Sequence, residues 1–222
     1  MNIVKALNFQ TPAVVAVIGC GGKSSFIKLL AESYASVKKV LISTTTKMFP
    51  LNVKNVDCRG ALNSKTGKLE ALPTAELVEL IPKYDIILLE ADGSRGLPCK
   101  GWFENEPVVP EFSTHTIGII DINAVGKSAT SETVLNLPQF LRLTGLRENE
   151  KITAEALQNM VCAPAGMFKN SVGSKILLVN QAESKAAEIA AEQLLLKIKE
   201  EYPGFFSKLL YGSVRNNIFS EV

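Results

Sequence analysis

A glycine-rich segment near the start of the chain, Gly19–Ser25 with the sequence GCGGKSS, contains residues suited to binding phosphate. It follows an apolar run over residues 13–18 and opens a helical pattern that begins at Phe26. Glycines bring backbone N–H groups close to an anion, which then lies at the positive end of the next helix. Lys23 would place a positive charge on the β- and γ-phosphates, and the Ser24 hydroxyl would bind Mg²⁺. The segment predicts a loop that binds a Mg²⁺–nucleoside triphosphate, ATP or GTP, through six residues: Gly19, Gly21, Gly22, Lys23, Ser24 and Ser25.

The loop is shorter than the usual phosphate-binding pattern G-x-x-x-x-G-K-[ST]. The first glycine of that pattern would stand where this chain has Val17, so part of the phosphate cradle must be built differently. The alternative interpretation is a helix-entry turn without a ligand. A dinucleotide fingerprint is disfavoured, because G-x-G-x-x-G would need a glycine at Ser24.

Two carboxylates, Glu90 and Asp92, follow a second apolar run over residues 84–90. Ligands of open α/β sheets bind beyond the carboxyl ends of the strands, where the glycine loop also lies. Two carboxylates there can hold Mg²⁺, and the planar fork of Arg95 suits phosphate or carboxylate. We therefore predict Lys23, Glu90, Asp92 and Arg95 as the catalytic set, with Ser24, Glu90 and Asp92 at the metal. The alternatives are a structural Asp-Gly turn at Asp92 and an ion pair between Arg95 and Glu90.

Hydroxyl and amide side chains at two further strand ends are candidates for nucleotide contacts. Thr45 and Thr46 end the second strand and could bind the γ-phosphate or Mg²⁺, or could simply continue the strand. Asn180, Gln181 and Glu183 stand where GTPases place Asn-Lys-x-Asp for the guanine base. Glu183 is equally suited to the first turn of the following helix.

Three basic residues are expected to bind the anionic group of a second substrate. Arg95 and Lys100 lie on the Gly93–Gly101 loop beyond the carboxylates, and Lys127 lies in a loop at residues 125–128. Loops at this edge of a sheet are where acceptor substrates are expected.

Short β-rich runs alternate with helical patterns, which indicates a parallel sheet covered on both faces. We predict a single α/β domain over residues 1–222, a three-layer P-loop NTPase-like fold with a small insert at 50–73 and a helical subregion without strands at 126–167. Thr74 and Thr153 are the expected helix N-caps. Strands are expected near 13–18, 39–43, 84–90, 116–122, 175–180 and 207–212. Helices are expected at 23–36, 74–81, 136–144, 153–162 and 183–201.

Composition excludes several classes of protein. The 222 residues carry a net charge of +2, which does not favour nucleic acid or an anionic membrane as a partner. Apolar runs are of strand length and the first residues resemble no signal peptide, so a cytoplasmic location is expected. The four cysteines form no C-x-x-C pair, which disfavours disulfides and a thiolate zinc site. Cys20, in a loop at a helix N-terminus, is either a reactive thiol of lowered pKa or a small residue in a tight turn.

Five segments together give the chain a resemblance to a known family. They are Gly19–Ser25, Ser43–Lys47, Glu90–Pro98, Glu106–Pro110 and Asn180-Gln181. They resemble the YqeC family of selenium-dependent hydroxylase accessory proteins, and the resemblance spans most of the chain. It implies a P-loop fold and a role in maturing a selenium-dependent molybdenum hydroxylase, with a selenium or molybdenum cofactor or the hydroxylase itself as the partner.

The residues and the resemblance together predict phosphoryl or nucleotidyl transfer driven by a Mg²⁺–nucleoside triphosphate. Two alternatives stay open. One is a nucleotide-dependent chaperone or switch for a partner enzyme, in which slow hydrolysis releases the partner. The other is an ATP-dependent ligase, because the short G-x-x-G-K-[ST] loop is similar to that of Mur ligases.

Overall fold

The structure, a computed structural model, describes all residues from 1 to 222 and contains six α-helices and thirteen strands. The helices are α1 (Ile3–Leu7), α2 (Lys23–Tyr34), α3 (Thr74–Leu80), α4 (Leu137–Thr144), α5 (Ala154–Cys162) and α6 (Lys185–Glu201). The strands are β1 (Ala13–Gly19), β2 (Val40–Thr44), β3 (Lys47–Met48), β4 (Asp57–Cys58), β5 (Ala61–Asn63), β6 (Lys68–Glu70), β7 (Ile86–Glu90), β8 (Cys99–Lys100), β9 (His115–Asp121), β10 (Val134–Leu135), β11 (Ser174–Asn180), β12 (Lys208–Ser213) and β13 (Ile218–Glu221).

Eight strands form the central sheet in the order β13-β12-β11-β9-β1-β7-β2-β4. All neighbours in it are parallel except β12 and β13. The chain passes from β1 to β2 on one side and later crosses to β9 on the other, so β1 lies where the direction of strand order reverses. Ligands of such sheets bind at this point, beyond the carboxyl ends of the strands.

Helices cover both faces of the sheet, because its strands are apolar on both sides. Along β1, Val15 and Val17 pack with α1 and α2, whereas Ala16 and Ile18 pack with residues of α4, α5 and α6. Val14 packs with α3 on the second face. The α/β class and the mostly parallel sheet are therefore confirmed, and the helices and the sheet form three layers.

Most predicted elements are present, and the differences are local. All six predicted strands and all five predicted helices form, and Thr153 caps α5 by accepting a hydrogen bond from Ala156 N at 3.0 Å. The cap at Thr74 is wrong: Thr74 is the first residue of α3, and Pro73 occupies the cap position.

The insert and the helical subregion also differ in detail. Within the insert, β5 and β6 form the expected hairpin and β6 also pairs with β3, but β4 joins the central sheet beside β2. The 126–167 region is not free of strands, since β10 pairs with β8. None of the six helices has the length and apolar character needed to cross a membrane.

Candidate functional site

The phosphate-loop candidate packs against the end of β9, and glycine is required for that packing. Gly21 has φ +105°, and a Cβ added there would lie 2.7 Å from Asp121 N. Gly19 also has a positive φ, and a Cβ there would collide with the carbonyl oxygen of Ile119. A larger residue at either position would force the loop away from the sheet.

The loop leaves a row of backbone donors without partners. Gly19 N donates to the Asp92 carboxylate and Cys20 N donates to Ile119 O. The next five N–H groups, at residues 21–25, donate to no acceptor in the chain. Backbone N–H groups normally find partners, and an unpartnered row at a helix N-terminus is suited to an anion.

Lys23 is folded inward rather than extended toward a ligand. The residue is 4% exposed, and its ammonium donates to Gly19 O at 2.5 Å and to Ser94 Oγ at 3.2 Å. It lies 3.1 Å from Asp92 Oδ1. Burial works to lower the pKa of Lys23, but the carboxylates of Asp92 and Glu90 outweigh it and raise the pKa. The lysine predicted to contact phosphate is therefore buried and held by Asp92.

Asp92 is fully buried and engaged by groups of the protein itself. Its oxygens accept hydrogen bonds from Gly19 N and, at 2.9 Å, from Trp102 Nε1. The ammonium groups of Lys23 and Lys100 lie 3.1 and 3.8 Å away. This carboxylate has no face directed to solvent, so the predicted Mg²⁺ ligation by Asp92 does not fit the structure. Asp92 instead anchors the loop and holds Lys23.

Glu90 is the carboxylate that faces the loop. It is 7% exposed, and Oε2 accepts a hydrogen bond of 2.7 Å from Ser24 Oγ. Burial raises the pKa of Glu90, partly offset by the positive charge of Lys23. A serine hydroxyl and a carboxylate in contact at a phosphate loop provide oxygen ligands suited to Mg²⁺.

Two clefts meet at the loop. The first has a volume of about 700 Å³ and lies between α2, the end of β11 and the turn between β12 and β13. The second has a volume of about 430 Å³ and lies between the loop, Glu90 and the three-stranded sheet of β3, β6 and β5. Gly22 and Ser25 line both clefts.

The first cleft contains the residues predicted to contact the base. Asn180, Gln181 and Glu183 all line it. Asn180 Nδ2 donates to Gly21 O at 2.7 Å, and its Oδ1 accepts from Val214 N at 2.9 Å. Glu183 accepts from Ser213 Oγ at 2.8 Å. Three charged residues that also line this cleft could not be predicted, because no local motif identifies them: Lys28, Glu32 and Arg215.

The second cleft contains Arg95 together with two lysines that the sequence did not identify as ligands. Lys47 lies on β3 and Lys68 on β6 of the insert, and both line the cleft opposite the loop. Arg95 forms no ion pair with Glu90, so that alternative is wrong. Folding of the insert brings Lys68 to this cleft. No spacing of residues in the sequence predicts that position.

Four predicted ligands lie outside both clefts. Lys100 is 0% exposed, 3.1 Å from Glu106 Oε2, and its burial excludes direct contact with a substrate. Thr45 donates to Val108 O at 2.6 Å and lines a separate cleft of about 360 Å³. Thr46 N donates to Thr44 Oγ1 at 3.0 Å, and Lys127 is exposed beyond β9.

Burial raises the pKa of the buried thiols and so disfavours the reactive thiolate form. Cys20 is fully buried, and burial raises its pKa to about 12, so it is the small residue in a tight turn rather than a reactive thiol. Cysteine, histidine and carboxylate side chains nowhere gather in threes as a metal-binding group. The serine–carboxylate pair is thus the arrangement to consider for Mg²⁺.

Comparison with known proteins gives one family. The model of the family described as YqeC protein matches residues 15–61 and 58–138. The uncharacterized protein YqeC of Escherichia coli (strain K12) is 30% identical over 216 residues, covering 86% of this chain and 84% of that protein. No solved structure matches the chain.

Proposed function

The chain belongs to the YqeC family, and we propose that it binds a Mg²⁺–nucleoside triphosphate, ATP or GTP, through a P-loop NTPase-like fold. We further propose that it uses the nucleotide for phosphoryl or nucleotidyl transfer in the maturation of a selenium-dependent molybdenum hydroxylase or its cofactor. The observation that carries the binding proposal is the row of five unpartnered N–H groups at residues 21–25 beside the Lys23 ammonium. A chain of phosphates is the ligand that such donors suit.

The two clefts suggest how the nucleotide lies. A phosphate chain along Gly22–Ser25 would place the nucleoside in the 700 Å³ cleft, against Asn180 and Gln181. The terminal phosphate would then face the 430 Å³ cleft that contains Glu90 and Arg95. The transferred group would therefore be directed toward an acceptor on the side of the insert.

The residues present fit a magnesium ion at Ser24 and Glu90. The Ser24 hydroxyl and the Glu90 carboxylate are 2.7 Å apart and line the second cleft. Mg²⁺ keeps several waters and takes one or two protein oxygens, which this pair provides. The bound ion would neutralise negative charge on the phosphate oxygens.

The Lys23 ammonium can donate a hydrogen bond to phosphate while it stays in contact with Asp92. Its ammonium has three donors, directed to Gly19 O, to Asp92 and to Ser94 Oγ. Ser94 lines the second cleft, so a phosphate oxygen can replace its hydroxyl as the third acceptor. Asp92 would thus keep Lys23 charged and in position, and the loop N–H groups would orient the phosphates. Such fixed donors favour transfer through positioning and electrostatics.

Thermal melting with Mg²⁺ and ATP, GTP or CTP tests the proposal. A ligand at a hundred times its Kd contributes about 2.7 kcal/mol, or roughly 5–10 °C in Tm for a domain of this size. Ser24→Ala should remove the Mg²⁺-dependent part of the shift, because it deletes the hydroxyl beside Glu90. Ser33→Ala is the matched control, since Ser33 lies on the same helix, bonds to Leu29 O and lines neither cleft. Absence of any shift at millimolar triphosphate would refute nucleotide binding.

A further inference from the structure

We infer that the 430 Å³ cleft between the loop and the insert binds an oxyanion, a phosphate or carboxylate group of the acceptor substrate, through Lys68 and Arg95. This inference rests on the proposed function, since it names the chemical class of the acceptor. Lys68 begins β6 in the insert, whereas Arg95 follows the end of β7. Both side chains line the same cleft from different parts of the chain.

The charges that line this cleft do not balance within the protein. Of its four cationic residues, Lys23 is paired with Asp92 and Lys47 with Glu70, at 3.1 and 2.9 Å. Lys68 and Arg95 form no ion pair with any carboxylate. Glu90 is the single carboxylate that lines the cleft, and it is bonded to Ser24. Lys68 and Arg95 against the one carboxylate of Glu90 leave the cleft with an excess of positive charge, which attracts an anion.

The contacts of both cations leave their donors available. The Lys68 ammonium lies 4.9 Å from the centre of the Phe49 ring, a contact that retains its charge and its hydrogen-bond donors. The Arg95 side chain donates no hydrogen bond within the chain, and its backbone is in the left-handed region with φ +52°. A non-glycine residue in this conformation is uncommon, and here it sets where the guanidinium leaves the loop.

An acceptor fits this position better than the nucleotide does. The nucleoside cleft opens on the other side of Gly22 and Ser25, and the loop N–H groups with Lys23 already supply donors for the phosphate chain. The insert that carries Lys68 forms the opposite wall of the second cleft. A volume of about 430 Å³ is that of a small-molecule site rather than of a single phosphate group.

The test is calorimetric titration of inorganic phosphate into protein saturated with Mg²⁺ and a non-hydrolysable triphosphate analogue. Lys68→Gln and Arg95→Gln should each weaken phosphate binding at least fivefold, because each removes a charged donor. Their affinity for the analogue should stay within threefold of the parent. Lys65→Gln is the matched control: Lys65 is exposed at the turn of the same hairpin, lines neither cleft, and should change nothing.

Three results would overturn the inference. The first is that the nucleotide-loaded parent binds no phosphate. The second is that both glutamine variants bind phosphate as tightly as the parent. The third is that either variant loses tenfold affinity for the analogue, because that result would assign the cations to the nucleotide. If the parent binds no triphosphate at all, the proposal of nucleotide binding is wrong. The anion site is then tested by titration of phosphate into the nucleotide-free parent and variants. Weakening in Lys68→Gln and Arg95→Gln but not in Lys65→Gln supports the anion site, and equal affinity in all three overturns it.

Discussion

Replacing Asp92 with Asn tests whether its carboxylate stabilises the fold or binds the metal. The side chain is 0% exposed and lies between the ammonium groups of Lys23 and Lys100. Asparagine keeps nearly the same shape and can still accept a hydrogen bond from Trp102, but it removes the negative charge. Lys100 retains Glu106 at 3.1 Å, whereas Lys23 loses its directly contacting carboxylate.

The expected cost is that of a buried charge left without its partner, about 3–5 kcal/mol. For a domain of 150–250 residues, 1 kcal/mol changes Tm by roughly 2–4 °C, so Asp92→Asn should melt roughly 6–20 °C below the parent. The Mg²⁺-dependent shift with triphosphate should persist, because Ser24 and Glu90 are intact. Glu90→Gln should do the reverse, melting near the parent while losing the Mg²⁺ dependence.

The assay is thermal melting of the parent and both variants, with triphosphate in the presence of Mg²⁺ or of a chelator. If Asp92→Asn melts within 2 °C of the parent and loses its response to Mg²⁺, Asp92 is a metal ligand and the assignment to Glu90 is wrong. A large loss of Tm together with a retained Mg²⁺ response would support the structural role. Both readouts come from the same samples, so unequal folding of the variants is detected directly.

Three further predictions concern packing, capping and titration. Iodoacetamide should modify native protein at Cys58, the one cysteine that is not buried, and mass spectrometry that finds native Cys20 alkylated would contradict the burial described above. Thr153→Ala should lower the free energy of unfolding by about 1 kcal/mol in urea titrations through loss of the α5 cap, and an unchanged midpoint would show that the cap contributes nothing. Burial lowers the pKa of His115, so its contribution to stability is complete above its ordinary value of 6.5 and is lost as pH falls through the lower folded-state pKa. Urea titrations at pH 7.5 and 5.5 should therefore show a smaller pH dependence for His115→Gln than for the parent, and equal dependence would contradict this.

The sequence predicts those parts of the site whose elements follow one another directly along the chain. A strand, a glycine loop and a helix follow one another directly, so the positions of Lys23 and Ser24 at a helix N-terminus can be predicted from spacing alone. The parallel strands could be predicted because their apolar runs are long and β-branched. The two-residue strands could not, since such short pairings depend on contacts elsewhere in the fold.

The roles of individual charged residues depend on partners that are distant in sequence. Asp92 and Glu90 are two residues apart and equally acidic, yet Asp92 turns toward Trp102 and Gly19 while Glu90 turns toward Ser24. Nothing in the segment itself distinguishes them. Lys100 is predicted at a ligand because it lies on the Gly93–Gly101 loop beyond the carboxylates, and its burial against Asp92 and Glu106 is a tertiary effect.

The amide of Asn180 connects the loop to the rim of the 700 Å³ cleft, so the two parts of the proposed nucleotide site would be coupled. Its Nδ2 donates to the carbonyl oxygen of Gly21 in the loop, and its Oδ1 accepts from the N–H of Val214 at the rim of that cleft. A phosphate that draws the loop inward would move the Val214 rim through this one side chain, and a base that orders the rim would steady the loop. The free energies of the two halves of a nucleotide would then not add, so a nucleoside and pyrophosphate, bound together as separate molecules, would each raise the affinity of the other.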